Sequence, residues 1–117
     1  MDSSVLSSVS QGRSSNYADI MRTSLWAQVA IAGIIGAGAG DAAGVALAVL
    51  TIGIALYGVL AGDAALKDLS NLMQDMPDDM KATAYGRAAQ TNPFMAYRAI
   101  SAVVHIVVAL AILLALF

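Results

Sequence analysis

The only histidine of this chain, His105, lies inside a run, residues 99–117, that carries no charged side chain. An imidazole in hydrocarbon is costly unless it is paired, so His105 is the first functional candidate. Its neutral ring has three uses. It can ligate the iron of haem or the magnesium of bacteriochlorophyll, handle a proton or a quinone, or hydrogen-bond to a carbonyl or hydroxyl on a neighbouring helix. No partners for covalent catalysis accompany it. A Ser-His-Asp relay needs a buried carboxylate beside the imidazole, and the apolar runs supply none. The chain has no cysteine, which removes thiolate chemistry, disulfides and Cys-ligated metals. Gly-x-Ser-x-Gly elbows and acidic metal loops are missing, and the GAGAGD run ending at Asp41 lacks the Lys-Ser/Thr of a phosphate-binding loop. Asp75, Asp78 and Asp79 crowd together but read as a solvated helix start. The expectation is no enzyme and no catalytic metal, with a haem or bacteriochlorophyll on His105 as the alternative to a purely structural histidine.

The elements that hold His105 follow from composition. Hydrophobic residues make up 59% of the chain and charged residues 12%, against about 25% charged in soluble domains. Residues 97–117 and 42–61 are each long enough to cross a hydrocarbon layer about 30 Å thick as a helix. Residues 25–40 form a third, shorter and Gly-rich apolar run. The predicted fold is all-α: a polytopic membrane protein with three transmembrane helices, the first two a tight hairpin. Residues 1–16 are a polar, Ser-rich arm of a composition that is usually disordered, without the basic start and apolar core of a signal peptide. The first membrane helix covers 17–40, with Ser15 or Asn16 as its cap. The second covers 42–61, capped by Asp41. A cytoplasmic amphipathic helical segment occupies 62–92, and the third membrane helix 93–117, with Asn92 as cap and Pro93 in its first turn. A two-span alternative makes 25–40 a re-entrant segment.

Spacing adds packing detail. Ala32, Gly36, Gly40 and Gly44 recur every four residues, as do Gly58 and Gly62. Small residues at this interval let helix backbones approach closely in a membrane. They fit the hairpin itself or a contact with another subunit. Leu66, Leu69, Leu72, Met73 and Met76 form an apolar stripe at helical spacing, which extends the second helix to the residue before Pro77. The stripe must be covered by residues 78–91, by lipid headgroups or by a partner. Residues 80–90 read as one short helix. Tyr17, Trp26, Phe94, Tyr97 and Arg98 suit the membrane–water boundary as anchors.

All six Lys and Arg fall on one side of a three-span arrangement: Arg13, Arg22, Lys67, Lys81, Arg87 and Arg98. The positive-inside rule makes that side cytoplasmic, with Asp41 and the C-terminus external, and places the chain in the inner (cytoplasmic) membrane. The net charge of -2 and the absence of a basic cluster give no support for a nucleic-acid partner. Three function classes remain. One is a non-enzymatic subunit that structures a larger membrane assembly, with the bilayer and other membrane subunits or its own copies as partners. Another is an electron-transfer or photosynthetic anchor carrying haem, bacteriochlorophyll or a quinone on His105. The last is a self-associating protein, either a holin-like pore-former or a helical filament subunit.

Overall fold

The computed structural model describes residues 2–117, apart from the side chain of Ser3. The order of elements is α1 (Ser3–Ile34), a π-helical turn (Ile35–Ala39), α2 (Gly40–Gln74), α3 (Asp78–Lys81), α4 (Ala84–Gln90) and α5 (Phe94–Leu116). No strand occurs among the described residues. Two helical stretches are long and apolar enough to cross a membrane, Ser4–Gln74 and Phe94–Leu116, where the sequence suggests three. The count differs because helical hydrogen bonding runs on through residues 35–43 instead of stopping at a turn. Only two residues leave helical geometry there: Gly38, at φ 91, and Ala43, at φ -120 and ψ 19.

Those two departures reverse the chain. A straight helix of 71 residues would run roughly 106 Å at 1.5 Å per residue, yet the longest dimension of the molecule is 60 Å. Contacts fix the direction. Arg13 pairs with Asp68, Ile31 packs with Leu47, and Gly40 faces Leu116. So α1 and α5 both run antiparallel to α2. Gly38 carries the positive φ that side chains disfavour, and Asp41 lies within the first turn of α2, whose N-cap position is Ala39. The expected Asp41 cap is therefore absent.

The N-terminal segment departs most from expectation. It is helical and continuous with α1, and it is capped by Asp2 rather than by Ser15 or Asn16. The Asp2 carboxylate accepts from the Val5 amide at 2.9 Å and from the Ser4 hydroxyl at 2.7 Å. Serine is only modestly worse than alanine inside a helix. Burial of Leu6, left 1% exposed, is worth about 1.5–3 kcal/mol and outweighs that deficit. Met1 lies outside the described residues.

Leu6 and Val9 pack on Leu72, Met73, Met76 and Ala89, with Met80 and Phe94 at the edge. This cluster closes one end of the rod. A second apolar cluster, Ile31, Leu47 and Ile112 with Ile35, Ile54, Val108 and Leu116 around it, lies toward the reversal. Between the two sits a layer of buried polar side chains. Residues 80–90 are not one helix: Thr83 breaks them and caps α4 through its hydroxyl, 3.0 Å from the Gly86 amide. Helix α2 ends at Gln74, two residues earlier than expected, and the Gln90 amide donates to the Met73 carbonyl at 2.7 Å. That bond satisfies one of the open carbonyls of the helix end. Pro93 takes the N-cap position of α5 where Asn92 was expected.

Candidate functional site

His105 is fully buried at the point where α1, α2 and α5 meet. Its Nδ1 lies 2.8 Å from the Ser101 carbonyl one turn earlier. A carbonyl oxygen only accepts, so Nδ1 carries the proton and Nε2 of the neutral ring is an acceptor. The Ser24 hydroxyl meets Nε2 at 2.7 Å from α1. Ser24 also lies 2.8 Å from the Ile20 carbonyl, so its single proton has two strong acceptors. One turn on, the Gln28 amide donates to the His105 carbonyl at 3.2 Å, while its own oxygen, Oε1, is buried without a partner. Thr51 of α2, also fully buried, donates back to the Leu47 carbonyl at 2.7 Å.

The third wall of the histidine pocket is the absence of a side chain. A Cβ placed on Gly58 would fall onto the His105 ring. One turn along, a Cβ on Gly62 would meet Met21 Cε at 2.6 Å and Ser101 Oγ at 3.5 Å. These two glycines let α2 approach the α1–α5 pair. Gly40 does the same more loosely, since a Cβ there would lie 3.6 Å from Leu116 Cδ2. The rest of the spacing pattern is not used inside the chain. Ala32 and Gly36 are exposed, and nothing stands within 4 Å of a Cβ on Gly36 or Gly44.

The apolar stripe is covered by the chain itself. Leu66, Leu69, Leu72, Met73 and Met76 are all buried, the last three beneath Leu6, Val9 and Ala89. Of the three covers the sequence leaves open, the 78–91 segment is the one seen, joined by the N-terminal segment, so the stripe that could have met a partner forms the chain's own core. Among the anchors, Trp26 is exposed, Tyr17 is half-buried, and Phe94 packs edge-on to Tyr97 with ring centres 6.2 Å apart. Arg98 is more than an anchor. It pairs with Asp63 of α2 through both Nε and Nη2, the latter at 3.1 Å. This pair holds the Asp63 carboxyl below the usual carboxylate range, against the opposing effect of partial burial.

Sequence reasoning finds His105 but misses Ser24, Gln28, Thr51 and the Gly58 notch. The available signal is the i, i+4 spacing of Ser24 and Gln28 inside an apolar stretch, which puts both on one face. Gly86 is also missed. A Cβ there would collide with the Met80 carbonyl oxygen, so α4 can fold back over α3 only with glycine.

The Ser24–His105 pair has hydroxyl–imidazole geometry, but a backbone carbonyl stands at Nδ1 where a relay has a carboxylate. Ser24 is 1% exposed. Both ring nitrogens are engaged by the protein, leaving no lone pair aimed at open space. Among the described residues no group of three or more His, Asp or Glu side chains is placed to hold a metal. The comparisons with known protein families, curated proteins and solved structures find no match to this chain.

Proposed function

We propose that this chain is a small, non-enzymatic membrane subunit that crosses the bilayer three times and braces a larger assembly through helix packing. The observation that carries this reading is an inverted distribution of polarity. His105, Ser24, Gln28 and Thr51 are buried at the centre, whereas Val45, Val49, Leu60, Val107 and Leu114 stand exposed on the rod. Water would penalise that arrangement in both directions, and a hydrocarbon solvent favours it. The reversal at Gly38 lets residues 17–40 and 42–61 act as two spans of one hairpin. Arg13, paired with Asp68, and Arg98, paired with Asp63, lie toward the end of the rod away from that reversal, which favours a cytoplasmic placement of that end.

Assembly is the use left for the faces the chain does not cover. Ala32 and Gly36 are exposed and open to a neighbouring backbone. The His105 network supports a structural clasp over a haem or bacteriochlorophyll ligand, because each ring nitrogen already has a protein partner. Native membranes washed with alkaline carbonate and then solubilised in mild detergent test the proposal. The chain should stay with the membrane pellet and migrate in native gels well above its 12.0 kDa monomer plus micelle. A carbonate-soluble chain, or a detergent monomer from native membranes, contradicts it.

A further inference from the structure

A lateral groove of about 430 Å³ opens between α1 and α5, which both lean on α2 but touch each other little. Met21, Leu25 and Val104 make its apolar wall, with Tyr17 and Tyr97 at the outer end. Ser101 lines it as well and is 8% exposed. Among the described residues the Ser101 hydroxyl has one bond, to the Met21 sulfur at 3.3 Å. A thioether is a weak acceptor, so this buried donor is poorly satisfied. The groove therefore has hydroxyl donors near one end, hydrocarbon and the edge of the internally bonded His105 ring along the rest, and no Asp, Glu, Lys or Arg in its lining.

We propose that the groove holds one acyl chain of a bilayer phospholipid, whose ester carbonyl accepts from Ser101. The complement of hydroxyl donors backed by hydrocarbon is an amphiphile with acceptors at one end and no need of a counter-charge. Depth agrees with this assignment. Ser101 lies three residues beyond Arg98, roughly 4.5 Å deeper at 1.5 Å per residue, where ester groups sit below an interfacial Arg and Tyr collar. The lipid ties α1 to α5 on the side where the two helices do not meet. This inference rests on the membrane reading above.

The test is native mass spectrometry of the full chain purified in mild detergent from bilayers of dioleoylphosphatidylcholine. The parent should retain one phospholipid per chain. Val104→Trp fills the groove from a partly exposed position and should lower retention at least about fivefold, the loss expected when an overfilled site must be forced open. Val103→Trp, an exposed neighbour that does not line the groove, should retain the lipid like the parent. Ser101→Ala should fold normally and retain less than the parent. Equal retention in the parent, Val104→Trp and Ser101→Ala overturns the proposal, and so does a phosphorus-free, light-absorbing molecule in the groove. Carbonate extraction of the parent separates the two failures: a membrane-embedded chain without bound lipid defeats the groove assignment alone.

Discussion

His105 and Ser24 meet across 81 residues of sequence, and this contact decides how α1 is held to α5. Replacing His105 with Gln keeps a donor and an acceptor near Ser24. His105→Leu removes both, but Ser24 can still donate to the Ile20 carbonyl at 2.8 Å. The cost should therefore be near the intramembrane average for a hydrogen bond, about 0.6 kcal/mol, plus whatever repacking the Gly58 notch demands. Thermal melts in detergent should rank parent, then Gln, then Leu. A Leu variant at or above the parent would show that the clasp adds nothing. Asp63 and Arg98 give a second test, on the pH axis. The Asp63 carboxyl titrates below its ordinary value of about 3.9, so the pair's contribution is complete above that value and is lost as pH falls through the folded-state value. Asp63→Asn should flatten this acid limb in melts recorded across it. Parallel acid limbs in the two proteins would mean that the pair contributes nothing to stability.

Glycines that the sequence treats alike, at the reversal and along α2, part company in the structure. Gly58 faces the imidazole and Gly62 faces Met21, whereas Gly36 faces nothing within the chain. Gly58→Ala should destabilise the folded chain by about 1–3 kcal/mol, since its methyl must displace a packed ring. Gly36→Leu should leave the melting temperature of the isolated chain nearly unchanged and impair only contacts with neighbours. Equal effects in the isolated chain would reject this division. Spacing reveals the small-residue pattern because helical periodicity is local. Which glycine meets which side chain depends on register between segments 47 residues apart, as with Gly58 and His105, and no local pattern carries that. The same reasoning explains the N-terminal segment. Its serines read as disorder, and only the long-range burial of Leu6 and Val9 on Leu72 and Met76 makes it a helix. The stripe on α2 was visible from its period. Its occupant was not, because an amphipathic face states what must be covered and leaves open what covers it.

At the scale of the whole molecule, the rod of 60 × 21 × 18 Å is longer than a hydrocarbon layer of about 30 Å. The end built around Leu6, Leu72 and Ala89, with its ion pairs, should project into water. The all-helical, apolar character of the rod is legible from hydrophobicity and length, since each is a property of composition along the chain. The hairpin is expected from the Gly-rich run before Asp41, but its form is not legible, because residues 35–39 stay within helical bonding and only Gly38 and Ala43 leave helical geometry. Side-specific thiol labelling tests the three-span arrangement most directly, because the chain has no cysteine of its own. Single variants Asp41→Cys, Asp79→Cys and Phe117→Cys would be exposed to an impermeant reagent in intact spheroplasts. The account predicts labelling at 41 and 117, with 79 labelled only after permeabilisation. Labelling of 79 together with protection of 41 in intact spheroplasts would contradict it.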